Sequence, residues 1–367
     1  MSRLRVLIPA LSAKSYGGDT YFRSILPTLA RRSDIECIVI APDERFTPYC
    51  PPGGAVRLVR VPVPSIFRGP ARTIWEQAAL PQLAREYGAQ VIFTANNSGL
   101  LMGGVPCVVA VRNMEPLVPP WPGTPIRIRL RLALLSRFTR ASAQAASRVV
   151  AVSNFVRDAV RSMGVPEAKI DVIYHGVDEL PRPDLSAPRT GGFMAAAAKF
   201  VRYANLETMI RGFARLLKDG YRGELRMAGG AHDRGYEREI RSLVRELGLE
   251  RSVRFLGYRP REEVRSLMRA SDVFLFPSML EACPFTLLEA MSQGAAIVAT
   301  TAPPMPEFAA DGALLVEPRD DAAFADAARR AMTTSALRAR ARARADLFRW
   351  DDAVERLIRC WSKAAGM

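Results

Sequence analysis

The chain has 367 residues, 49% of them hydrophobic and 24% charged, which suits an ordinary globular protein of two or three domains. Collagen-like, fibrous and wholly disordered states are excluded by that balance. Net charge is +15, from 52 basic and 37 acidic residues, and all but five of the basic residues are Arg.

In chain order, Arg3, Arg5 and the apolar Val6–Leu11 imitate a short signal peptide. That run is too short and leads directly to Gly17-Gly18, so a first β-strand is expected. Strand-like runs follow at Arg5–Pro9, Cys37–Ala41, Val56–Val61, Gln90–Thr94, Cys107–Val111, Arg148–Val152 and Lys169–Tyr174. The uncharged run Tyr87–Val111 is long enough to span a bilayer. Asn96, Asn97, Ser98, Gly103, Gly104 and Pro106 interrupt it, so it reads as two buried strands around a polar loop. After a proline-rich stretch the pattern restarts at Gly192–Ala198, Glu224–Ala228, Ser252–Leu256, Val273–Phe276, Ala296–Thr300 and Ala313–Val316. Amphipathic helices are expected between them, at Asn205–Lys218, Tyr236–Leu247, Pro260–Ala270 and Phe285–Gln293, and the tail from Phe324 reads as nearly all helix. Apolar strands alternating with helices imply parallel sheets covered on both faces. The expected architecture is two doubly wound α/β domains with a ligand cleft between them, residues 1–180 and 191–345. Residues 181–190 form the linker, and a closing helix at 346–367 is expected to pack back on the first domain.

Five scattered cysteines lack ligand spacing and suit reduced thiols in the cytoplasm, and two histidines are too few for an evident zinc site. Between Glu115 and Asp158 there is no acid but seven Arg. Such a field attracts phosphate, in an anionic membrane surface or a diphosphate-linked substrate. Nucleic acid is disfavoured as a partner, because no aromatic-interleaved or zinc-finger motif accompanies the charge. Within this stretch Ile126–Leu132 (IRIRLRL) alternates like a strand, while its Ala-rich continuation reads as helix. As a helix its arginines and apolar residues segregate poorly, so a solvated basic face is the first reading and a membrane-surface face the second.

The window Pro277–Thr300 (PSMLEACPFTLLEAMSQGAAIVAT) is the most informative. Pro284 is pre-organised for a first helical turn, which leaves the amides of Phe285, Thr286 and Leu287 for an anion. Glu281 and Glu289, eight apart, are carboxylates that can accept hydrogen bonds from sugar hydroxyls.

Taken whole, EACPFTLLEAM with Gly294 and the strand after it resembles the E-x7-E donor site of glycosyltransferase family 4, retaining enzymes of the GT-B fold. Gly17-Gly18, VAVSN (150–154), VIYHGVD (172–178), MAGG (227–230), FLGYR (255–259), ASDVFLFPS (270–278), Pro306-Glu307 and Trp350 follow the family's order. The resemblance implies that Glu289 holds the ribose of a nucleotide and Glu281 the transferred sugar. Phe285, Thr286 and Leu287 would approach the sugar and diphosphate, Tyr258 would line the base, and Gly17 and Gly18 would belong to the glycine-rich donor loop. Two departures stand out. Where members carry Arg and then Lys to neutralise the diphosphate, this chain has Lys199 and Ala204, with Arg202 the nearest substitute. Where many members place a His after the Cys107–Val111 strand, this chain has Arg112 and Asn113, candidates for acceptor contact. His175 and His232 read as structural.

The expected function is transfer of a hexose-type sugar from a nucleotide-diphosphate donor to a saccharide or lipid-linked acceptor, with retention. Glu281, Lys199 and Arg202 would be catalytic, with no cofactor and no metal, in polysaccharide, lipopolysaccharide or glycolipid assembly, in the cytoplasm or at the inner face of the cell membrane. The alternative is a degenerate GT-B scaffold or nucleotide-sugar-binding protein, motivated by Ala204 and the missing His.

Overall fold

Every strand pairing in the structure, a computed structural model, is parallel among the described residues, 3–11, 13, 17–63, 70–178, 191–230 and 232–367. The proline-rich linker expected at 181–190 lies outside them. Parallel neighbours cannot be joined by tight turns, so most connections carry a helix back to the start of the sheet, and β4 reaches β5 through a long loop.

Residues Met1–Asp178 and Arg349–Met367 form one compact unit. Its strands are β1 (Leu4–Pro9), β2 (Ile35–Ala41), β3 (Val56–Arg60), β4 (Val91–Thr94), β5 (Cys107–Val111), β6 (Arg148–Ala151) and β7 (Ile170–Val172). They lie in the order β3-β2-β1-β4-β5-β6-β7, with Val6 opposite both Cys37 and Val91. The apolar run within Tyr87–Val111 thus supplies two fully buried strands, β4 and β5. Helices α1 (Gly17–Ala30), α2 (Pro70–Glu86), α3 (Ile126–Ala145) and α4 (Asn154–Ser162) accompany the sheet. The alternating IRIRLRL segment is helix, at the start of α3. Its period-two pattern misleads because the whole 20-residue segment, not seven residues, decides which face is buried.

Residues Glu179–Phe348 form the second unit. Its strands are β8 (Phe193–Ala197), β9 (Glu224–Ala228), β10 (Val253–Gly257), β11 (Phe274–Phe276), β12 (Ile297–Thr300) and β13 (Leu314–Val316), in the order β10-β9-β8-β11-β12-β13. The helices are α5 (Leu206–Lys218), α6 (Arg234–Glu246), α7 (Arg261–Ala270), α8 (Phe285–Ser292), α9 (Met305–Ala309), α10 (Asp321–Thr333) and α11 (Ala336–Ala345). In α5, Leu206, Met209, Ile210, Phe213 and Leu216 recur at helical spacing and are all buried. Gly212 lets α10 approach, since a Cβ there would lie 3.1 Å from the Asp321 carbonyl. The alternating ARARARA sequence of α11 is not a solvated face. Leu337, Ala341 and Ala345 are buried at four-residue spacing. Its arginines cap neighbouring helices: Arg338 donates to Gly294 O at 2.8 Å, Arg342 to Ser292 O, and Arg344 to Phe308 O at 2.9 Å.

The closing helix, α12 (Trp350–Ala365), belongs to the first unit. Trp361 is fully buried with its ring 5.1 Å from that of Phe93, and Trp350 stacks on His175. Gly176 explains why the VIYHGVD segment carries glycine. A Cβ at Gly176 would fall 2.2 Å from the Trp350 backbone nitrogen, beside the parallel bridge of Val177 with Arg349. Gly176→Ala must push this backbone away, so it is expected to cost roughly 1–3 kcal/mol. Denaturant unfolding of the variant against the parent checks this, and equal stability would mean that α12 gives way freely.

Candidate active site

In the second sheet the chain leaves β8 in one direction and returns through β11 on the other side, so β8 and β11 are the point where the winding reverses. In such sheets ligands bind beyond the carboxyl ends of the strands at that point. The loops that border it are Ala198–Asn205 after β8 and Pro277–Pro284 after β11. They are tied together at two points. Met279 N donates to Tyr203 O at 2.8 Å, and the buried Asn205 side chain donates to Pro277 O at 3.1 Å. Asn205 is in the left-handed region, φ 54°, a conformation Asn tolerates better than most residues. On the other side Gly229 brings the next loop against Ala198, where a Cβ would sit 1.8 Å from the carbonyl oxygen.

Glu281 stands in the second loop, half-buried. Ser278 Oγ donates to its Oε1 at 3.0 Å, and Thr300 holds Ser278 by donating to its carbonyl at 2.5 Å. Burial pushes the carboxyl up to about 7, against the opposing effects of the Ser278 hydrogen bond and the positive charge of Lys199. Lys199, in the first loop, is therefore near enough to bear on this carboxylate. Two of the expected site residues thus stand on the two loops at the reversal point.

Beside them begins α8. Pro284 provides no side-chain cap, and the Phe285 amide is not available, because it donates to Cys283 O at 2.9 Å. Only Thr286 and Leu287, of the three amides expected to face an anion, keep first-turn N–H groups that helix geometry leaves without a helical acceptor. Glu289, one turn further, is held by Arg261 and by Arg265, whose Nη2 lies 3.7 Å from Glu289 Oε1. The far end of α8 is fixed by Arg338, Arg342 and Arg269, the last donating to Gln293 Oε1 at 2.5 Å.

Other expected residues are engaged elsewhere. Arg202 grips Glu239 of α6 with both terminal nitrogens, at 2.6 and 3.0 Å, so its guanidinium is an ion-pair partner for that helix rather than a second cation beside Lys199. Ala204 is buried in the apolar cluster that includes Phe200, Leu206 and Met209, and a lysine there would have to bury its charge. Tyr258 is 75% exposed. Gly17 and Gly18 open α1 with no close neighbour that forbids a side chain.

Arg112, at the end of β5, is built into the first unit. It donates to Ala95 O at 2.9 Å, to Gly17 O at 3.0 Å and to His175 Nε2 at 3.2 Å, and it lies 3.8 Å over the Tyr21 ring. Burial first, and the Arg112 charge second, hold the His175 imidazole well below its ordinary value, so it is neutral and accepts at Nε2. Sequence reasoning treated Arg112 and His175 separately. Their 63-residue separation left no local signal of the pairing. Asn113 is exposed, with its side chain accepting from Glu115 N and its backbone held by the buried Asn97.

Residues 16–179 match the family model Glycosyltransferase Family 4, and residues 179–347 match Glycosyl transferases group 1. Together with the two parallel sheets, these matches give the chain the two-domain GT-B fold. It is similar to WcaL of Escherichia coli K12, named as a proposed colanic acid biosynthesis glycosyltransferase, with 31% identity over 47% of this chain and 44% of WcaL. The chain spans less than half the length of this relative and of the D-inositol 3-phosphate glycosyltransferases it matches. Among solved structures, sucrose-phosphate synthase of Thermosynechococcus elongatus superposes with a TM-score of 0.75 at 19% identity, over 98% of this chain and 99% of that one. Anabaena HepE, solved in complex with UDP-glucose, gives 0.72 at 20% identity over the whole of both chains.

The raised Glu281 carboxyl binds its proton more tightly in the folded state than in the unfolded one. Its ionisation therefore works against the fold as pH climbs from the ordinary carboxylate range through about 7. Glu281→Gln is expected to raise the melting temperature at pH 8 and leave it unchanged near pH 4. Thermal scans at both values check this, and a variant less stable at pH 8 would contradict it.

Proposed function

We propose that this protein transfers a hexose-type sugar from a nucleoside-diphosphate sugar to an acceptor hydroxyl, with retention and without a divalent metal. The observation that supports it most is that Glu281 and Lys199 stand on the two loops at the reversal point of the second sheet, with α8 beginning at the end of the second loop. In this reading Glu281 accepts from hydroxyls of the transferred sugar, and Glu289 from those of the ribose. The bond from the anomeric carbon to the diphosphate oxygen breaks as the acceptor oxygen bonds to that carbon on the same face. The acceptor's proton passes to the departing phosphate oxygen. Lys199 and the Thr286 and Leu287 amides stabilise the charge that develops there, the task a metal performs elsewhere. Asn113 is assigned to the acceptor side, whereas Arg112 acts through the loop it anchors. The second reading, a degenerate GT-B scaffold or nucleotide-sugar-binding protein without transfer activity, is not favoured, since both halves of the chain match glycosyltransferase models.

A thermal-shift screen against UDP-, GDP-, TDP- and ADP-sugars selects the donor. With it, Lys199→Ala is expected to lower the transfer rate about a hundredfold or more, while nucleoside-monophosphate binding changes little. The product should keep the donor's anomeric configuration, and EDTA should leave the rate unchanged. Donor binding with neither transfer nor hydrolysis would favour the second reading.

The acceptor is proposed to be lipid-linked and met at an anionic membrane. No helix among the described residues is long and apolar enough to cross one. In α3, however, Leu132, Thr139, Ser142 and Ala143 face inward, and Ile126, Leu130 and Leu134 are 61–67% exposed at four-residue spacing. At 100° per residue, Arg127 and Arg131 flank that apolar stripe on one side, and Arg129 and Arg140 on the other. An apolar stripe between arginines is the pattern of a helix lying in a lipid interface. Co-sedimentation should therefore be strong with anionic vesicles, weak with neutral ones, and lost on changing Arg127, Arg129 and Arg131 to Gln. Equal pelleting with both lipids would make a soluble acceptor the better reading.

A further inference from the structure

Glu289 is the only carboxylate of the donor window gripped by guanidinium groups among the described residues, and the way it is gripped has a direction. Arg261 and Arg265 stand four residues apart on α7, so they project from one face of that helix. Both converge on the same oxygen, Oε1. The Glu289 side chain is 15% exposed and that of Arg265 only 5%, so the contact is sheltered from solvent, and Arg265 is itself paired with Glu262. The last torsion of a glutamate is broad and two-fold, and an unrestrained carboxylate would present either oxygen at any tilt. The Arg261 hydrogen bond to Oε1, with the Arg265 guanidinium 3.7 Å from the same oxygen, restricts that freedom and leaves Oε2 as the oxygen to which neither arginine is bound.

We infer that Arg261 and Arg265 are positioning residues that set Glu289 Oε2 for the paired hydroxyls of the nucleotide's ribose. This rests on the donor reading above. The arginines touch the nucleotide only through Glu289, so their loss should be felt as lost discrimination for the diol rather than as lost binding in general.

The experiment measures by calorimetry the affinity of the full chain for UDP, GDP and ADP, each beside its 2′,3′-dideoxy counterpart. The parent is expected to prefer one ribonucleotide over its dideoxy form by about tenfold or more. Arg261→Gln and Glu289→Ala should both shrink that ratio to about threefold or less, with affinity for the dideoxy form unchanged. Arg265→Lys, which keeps the charge but not the fork, should shrink it in part. A parental ratio in Arg261→Gln while Glu289→Ala loses it would overturn the inference and leave the donor reading intact. A ratio that rises in Arg261→Gln would overturn it too, since the arginine would then be competing with the ribose. A ratio unaffected by Glu289→Ala would overturn the assignment of the ribose to Glu289 and the inference with it.

Discussion

A sheet of parallel strands wound from the middle outward has to reverse once, and that reversal governs the second unit. Neither loop at the reversal can be covered by a helix crossing between β8 and β11, because each chain direction carries its helix away from it. The polar residues of those two loops are thus left to satisfy one another. Asn205 does so toward Pro277, Ser278 toward Glu281, and Thr300 toward Ser278. The two loops hold a carboxylate with a raised affinity for its proton and a lysine whose charge bears on it. Such an arrangement is costly to the fold and characteristic of sites that meet a ligand.

The same logic accounts for the many arginines. A composition of this kind suggests a broad positive surface, yet many guanidiniums are directed inward to carbonyls and carboxylates. Arg338, Arg342 and Arg344 hold the ends of α8 and α9, Arg112 joins three loops of the first unit around Tyr21 and His175, and Arg202 binds α6 to the loop after β8. The planar fork of Arg suits this use, since it reaches several acceptors at fixed angles where lysine offers a point charge. Helix α3 carries Arg127, Arg129 and Arg131 exposed around an apolar stripe.

The strands were legible in the sequence almost to the residue. Cys107–Val111 coincides with β5, because a fully buried parallel strand must be a continuous apolar run between polar loops, and Glu224–Ala228 coincides with β9, where Leu225, Met227 and Ala228 are buried. The helix bearing Glu289 was legible for a different reason, the proline at its start and the glycine beyond its end. Local pattern failed at IRIRLRL, where alternation within seven residues carried less weight than burial along twenty.

The sequence by itself determined the secondary elements, the two-unit winding and the window containing Glu281 and Glu289. Those depend on periodicity and on backbone preferences that act between near neighbours. Only the tertiary structure decided the partner of each charge. It gave Phe285 N to Cys283, Arg202 to Glu239, Arg112 to His175 and Gly17, and Arg261 with Arg265 to a single oxygen of Glu289. A long flexible side chain can reach in many directions, and its partner is chosen by which element lies beside it in space. It was likewise the return of α12 to the first unit that made Gly176 obligatory, because the backbone that excludes a side chain there is 174 residues away in the chain.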